Sequence, residues 1–193
     1  ILFFGCYLLF SFNIYAQDNY KDEVELVTLD KVFFDGAFTS FFKGFNNQFT
    51  LSVVDIKNDV VFEIENPQLN TFVLENWFIS ANNTSSLFIF DKITKVMDTI
   101  ADVRSFDLLS QKNQIIYTSK SDSITYLLDL KSGKVQSFGV IMNYKVSPNE
   151  NELIYQDATH QIRYLDLKSN KETFIKDNAP NLKNAIWSVN SKQ

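Results

Sequence analysis

The sequence predicts an all-β chain built from about four copies of one unit, each a small antiparallel sheet of four short strands. Three observations carry this. The stretch "YLLDLKSGKVQSF" at 126–138 returns almost word for word as "RYLDLKSNKETFI" at 163–175. An Asp that closes an apolar run stands at Asp55, Asp91, Asp129 and Asp166, at intervals of 36, 38 and 37 residues. No stretch combines a long helical apolar period with caps at both ends, so helices should be few.

Each period has the same internal order. After the Asp comes a polar turn: "IKND", "KITK", "LKSGK", "LKSNK". A short outer strand follows ("VVFEIE", "VMDTI", "VQSF", "ETFI"), and then a further strand ("TFVLE", "SFDLLS", "YKVS", "NAIWS"). A second polar turn, clearest in "SQKNQ" and "SPNENE", leads to "WFISA", "IIYTS" and "LIYQD". One more turn returns to the Asp strand. Gly (5) and Pro (3) are scarce, so Asn, Asp, Ser and Lys must build these turns.

A lone four-stranded sheet of this composition has two faces, and neither is polar enough to stand in water. Stacking the units face to face buries both. Four-stranded repeats of about 40 residues arranged radially make a β-propeller. The fold class is therefore a β-propeller fragment of about four four-stranded antiparallel blades, over residues 46–193. The last unit, "NAIWSVNSKQ", stops where a further strand is due. Closed propellers need about four to eight blades, so the native chain is expected to continue past Gln193, leaving this one truncated at its C-terminus. Residues 17–45, including "FFDGAFTSFFKGF", follow the grammar poorly and read as a lead-in or a degenerate first blade.

The N-terminal run "ILFFGCYLLFSFNIYA" precedes the polar "QDNYKDE". This is the pattern of a secretory signal peptide over 1–16, with cleavage near Ala16. The run is short for a membrane span, which needs roughly 20 residues. A periplasmic or secreted location follows, with no stable membrane insertion after cleavage. Retention as an anchor is the other reading. Cys6 is the single cysteine, so neither an internal disulfide nor a cysteine-based zinc cluster is expected. Net charge is −5, and Arg104 and Arg163 are the two arginines. No basic stripe exists to hold nucleic acid.

The search for chemistry finds no catalytic, cofactor-binding or metal-binding residues, and no cofactor is expected. The glycines, at 5, 36, 44, 133 and 139, cannot form a G-x-S-x-G nucleophile elbow. No phosphate-binding glycine loop or EF-hand pattern occurs. The one histidine, His160, falls in a turn between strands and lacks companions for a metal site. The Asp column reads as turn chemistry. The column Ile79, Tyr117 and Tyr155, spaced 38 residues apart, reads as packing between blades. "NNTS" at 82–85 contains two N-x-[ST] sequons and reads as a loop.

The segment "VSPNENELIYQDATHQIRYLDLKSNKETFI" resembles the TolB-like, WD40-like propeller repeat. That repeat reads roughly S-P-D-G, an apolar strand, then D-L and a turn. Ser147, Pro148, Asn149, Leu153, Ile154 and Tyr155 occupy the first set of positions, and Asp166 and Leu167 the second. "SVNSKQ" looks like another copy, with Ser188 and Asn190 in place and Val189 where Pro is usual; "SQKNQIIY" is a weaker one. Such repeats serve unrelated functions. Together with the leader, "SLFIFDKITKVMDTIADVRSFDLLSQKNQIIYTS" looks like the N-terminal propeller of secreted prolyl-oligopeptidase-type (S9) serine peptidases of Bacteroidetes-like bacteria. The resemblance implies a propeller that gates and orients peptide substrates for a C-terminal α/β-hydrolase domain beyond this chain. The alternative is a non-catalytic periplasmic propeller that binds a protein partner.

Overall fold

The computed structural model describes residues 26–32, 38–45, 48–55, 60–74, 76–177, 182, 186 and 187. The expected signal segment and Cys6 lie outside them. The described residues form strands and turns, with no helix among them.

The first sheet is a meander of β1 (Leu26–Val32), β2 (Phe38–Phe45), β3 (Gln48–Asp55) and β4 (Val60–Glu65). The second contains β5 (Pro67–Val73), β6 (Trp77–Asn82), β7 (Leu87–Asp91) and β8 (Val96–Ile100). The third runs through β9 (Val103–Leu109), β10 (Gln114–Ser119), β11 (Ile124–Asp129) and the first half of β12 (Val135–Val146). The second half of β12 opens the fourth, with β13 (Glu152–Asp157), β14 (Ile162–Asp166) and β15 (Lys171–Lys176). All pairings are antiparallel between sequence neighbours, and β1 and β2 supply half of the first sheet from the segment that the repeat grammar describes poorly.

One junction differs from four separate sheets. β12 pairs with β11 as far as Val140 and with β13 from Ile141, so seven strands form one unbroken ladder. The kink lies at Gly139, just before the change of partner, and its φ of +75° is open to a residue without Cβ. Asn66 (φ 49°) and Asp102 (φ 63°) stand at the matching junctions between the earlier sheets. There the kink comes with a break in the strand. At Gly139 the ladder passes through the kink.

Alternation along each strand divides the apolar residues between two neighbours. Phe78 and Phe90 of the second sheet pack with Phe38, Leu51, Val53 and Ile64 of the first. Trp77, Ile79, Ala81, Leu87 and Ile89, from the opposite face of the same sheet, pack with Val103 and Ile115 of the third. Leu109, Ile116 and Leu127 then meet Ile141, Leu153, Tyr155 and Leu165 of the fourth. Thus Ile115 and Ile116, adjacent and both 0% exposed, point into two different cores. Aromatic edges strengthen the seams: Phe38–Phe90 centroids lie 5.6 Å apart at 76°, and Phe72–Phe106 5.7 Å apart at 81°. Within a sheet, burial falls from the second strand outward. Every residue of β6 is buried, whereas four of the five in β8 are exposed.

Local meanders, stacked face to face through separate cores and grading from a buried interior strand to a wet outer edge, are propeller blades. Each full burial of a Leu, Ile or Phe side chain contributes roughly 1.5–3 kcal/mol.

Candidate functional site at the hub

The aspartate column is turn chemistry. Asp91 Oδ1 accepts the N–H of Ile93 at 2.8 Å, Asp129 Oδ1 that of Ser132 at 2.8 Å, and Asp166 Oδ1 that of Lys168 at 2.8 Å. Four residues after these aspartates the chain turns left-handed, at Lys95, Gly133 and Asn170. Asp55 is 7% exposed and instead meets Lys95 Nζ of the next blade at 2.9 Å.

His160 is an exposed turn residue with φ 63°, its N–H donated to the Asp157 carbonyl at 3.0 Å. Asn82, in the first sequon, is 8% exposed, and its Oδ1 accepts the N–H groups of Thr84 and Ser86. Ile79 and Tyr117 share the core between the second and third blades, and Tyr155 joins that between the third and fourth. Burial pushes the Tyr155 hydroxyl well above the phenol range, with Glu172 beside it adding to the effect. Among the described residues no group of three His, Cys, Asp or Glu is placed to hold a metal ion.

The concave feature of interest lies between β9 and the second half of β12, the first strands of the third and fourth blades. In a propeller these inner strands face the central axis. A groove of about 600 Å³ runs between them, lined by Arg104, Phe106, Thr118, Val140, Met142 and Asn143 among others. A second hollow of about 370 Å³ continues toward the Ser147–Glu150 turn. Asp107 and Tyr144 border both. The Tyr144 hydroxyl donates to Asp107 Oδ2 at 2.5 Å across the blade seam. Burial, then the neighbouring carboxylate, raises the Tyr144 pKa far beyond the ordinary phenol value, so it stays a donor at any physiological pH.

The charges around the groove are unevenly matched. Arg163, remote from it, is saturated by Asp157, Glu172 and Gln161. Arg104 is exposed and donates to Ser123 Oγ at 3.3 Å. The aspartates nearby in sequence are engaged elsewhere. Asp102 Oδ2 takes hydrogen bonds from the Ser121 hydroxyl and N–H and from the Ser119 hydroxyl, which hold its carboxyl below the usual range. Asp122 accepts from the Ile124 N–H and the Tyr126 hydroxyl. Asp107 is taken by Tyr144.

This groove was not legible as a site in the sequence. The signal was nonetheless present, because Asp107 and Tyr144 are 37 residues apart, one repeat period. Equivalent positions on adjacent inner strands are neighbours in a propeller.

No known protein-family model matches the chain, and no curated protein matches it. Among solved structures it is similar to BamB from Moraxella catarrhalis, at 14% identity and a TM-score of 0.46, over 75% of this chain and 47% of that one. It is similar to the N-terminal domain of Nup159 at 9% identity and a TM-score of 0.46, over 72% and 41%. It is similar to the dihydro-heme d1 dehydrogenase NirN, solved in complex with DHE, at 17% identity and a TM-score of 0.45, over 73% and 35%. The matched region therefore spans less than half the length of each. The assignment of propeller blades rests on the stacking described above.

Proposed function

We propose that the chain is a recognition propeller: it binds or admits a peptide segment at the hub and carries out no bond chemistry itself. The observation that carries this is the open groove between β9 and β12, whose wall includes the exposed Arg104, Ser105, Met142 and Asn143 of the inner strands. The finer reading follows the repeat resemblance at Ser147–Asn149, Leu153–Tyr155 and Asp166–Leu167. The chain is then the propeller portion of a secreted S9-type serine peptidase, admitting short peptides to an α/β-hydrolase domain of the same protein. The second reading, a non-catalytic periplasmic propeller that binds a protein partner, is favoured by the same groove.

The test is hydrolysis by the complete gene product, assayed with N-blocked peptides of graded length and with a folded protein substrate. Cleavage confined to short peptides supports the gating reading. Peptide binding without cleavage supports the partner-binding reading. Neither binding nor cleavage of any peptide overturns both. The 193-residue chain alone is expected to hydrolyse none of them.

A further inference from the structure

We infer that Arg104 is the anchor of an anion subsite at the hub, and that its ligand is the free C-terminal carboxylate of a peptide with an apolar last residue. This rests on the reading of the chain as a recognition propeller and specifies what it recognises.

The argument begins with the charge inventory. A guanidinium presents five N–H donors in a planar fork that matches a carboxylate bidentately. Arg163 shows how this protein normally satisfies an arginine, with two carboxylates and an amide oxygen. Arg104 has no carboxylate partner among the described residues, although Asp102, Asp107 and Asp122 belong to the same blade. Each of those acids is held by a hydroxyl or N–H of its own surroundings. The Ser119 and Ser121 hydroxyls engage Asp102, the Tyr144 hydroxyl engages Asp107, and Arg104, on the groove wall, has Ser123 Oγ as its partner among the described residues.

The rest of the lining suits a peptide end. Ser105 and Asn143, both exposed, offer a hydroxyl and an amide for the main chain. Val140 and Met142 form the apolar part of the wall, and Met142 is 55% exposed, a large apolar side chain left facing solvent. Flexible methionine surfaces accept varied apolar partners. Nucleic acid fits poorly, because a single arginine in a chain of net charge −5 cannot neutralise a run of phosphates.

The experiment is calorimetric titration of the full chain with N-acetyl-Ala-Ala-Leu as the free acid, with the same tripeptide as its C-terminal amide, and with inorganic phosphate. The free acid should bind about tenfold more tightly than the amide, as expected for loss of a charge-assisted bidentate pair. Arg104→Ala should abolish that difference, and Arg104→Lys should retain part of it. Arg104 is exposed, so both variants should fold, with unchanged circular dichroism. Equal affinity for acid and amide, or an Arg104→Ala variant that still prefers the acid, overturns the inference. So does phosphate binding at least as tightly as the free acid, which marks a general anion site. If the complete gene product cleaves or binds peptides while this discrimination is absent, the recognition reading stands and the carboxylate subsite falls. If no peptide is bound in any form, both fall.

Discussion

The carboxylate of Glu150 reaches back across a blade seam to the backbone of Gln111. Its Oε2 accepts the Gln111 N–H at 2.7 Å, and its Oε1 accepts the Ser110 N–H at 3.1 Å. Glu150 occupies the glycine position of the S-P-D-G signature and is left-handed there, at φ 54°. The backbone strain of a non-glycine residue is thus accepted at a point where its side chain closes the turn of the preceding blade. Glu150→Ala should destabilise by about 1–2 kcal/mol, because it keeps the strained backbone and loses charge-assisted bonds. Glu150→Gly should cost less, since the conformation then becomes free of Cβ strain. Urea midpoints of the two variants rank the terms. A Gly variant no better than the Ala one would show that the turn carries no strain.

Ser80 is fully buried, and its hydroxyl has no hydrogen-bond partner among the described residues. It shares the face of β6 that carries Phe78, toward the seam between the first and second blades. An unpaired buried hydroxyl costs roughly 1–3 kcal/mol. Ser80→Ala is therefore expected to raise the denaturation midpoint, by up to about 1 kcal/mol after the loss of packing. A lowered midpoint would show that the hydroxyl is bonded in solution.

Ile115 fills the seam between the second and third blades, whereas Phe174 on the outer strand β15 is 50% exposed. Ile115→Ala should cost about 2–5 kcal/mol, and Phe174→Ala distinctly less despite the larger side chain removed. Equal costs would contradict the stacking of separate sheets through buried seams.

Asp157 predicts an acid limb of stability. Burial raises its pKa, but the Thr159 hydroxyl, the Gln161 N–H, Arg163 and the Thr159 N–H together bring it down to about 2. A carboxylate with a depressed folded-state pKa contributes stability above its unfolded value, near 3.9, and loses that contribution as the pH falls toward the folded value. The wild type should lose stability between about pH 4 and pH 2 more steeply than Asp157→Asn. Parallel curves for the two proteins would remove Asp157 as a contributor.

The spacing of four aspartates and the order of turns around them were enough to locate the strands from β3 onward and to assign the third and outer strand of each unit. Turn chemistry is local: Asp129 holds Ser132, and Ser147 Oγ donates to Asn149 and accepts the Glu152 N–H, all within a few residues. Such bonds depend on short sequence alone. β1 and β2 were harder to see because "FFDGAFTSFFKGF" lacks that signature, although β2 pairs with β3 along its whole length. The site was harder still. Arg104 differs from Arg163 only in what surrounds it after folding.

The repeat therefore determined, without any coordinates, that this protein is a series of small β-meanders needing neighbours on both faces. Hydrophobic alternation and turn residues act over a handful of positions, and both are written in the chain. Tertiary structure alone decided which polar groups were consumed and which were left over. Tyr144 takes Asp107 from the adjacent inner strand, the Ser119 and Ser121 hydroxyls take Asp102, and Arg104 lines the hub groove with Ser123 Oγ as its partner among the described residues. Those pairings depend on which strands the stacking of blades sets side by side, a distance in space that composition and periodicity do not encode.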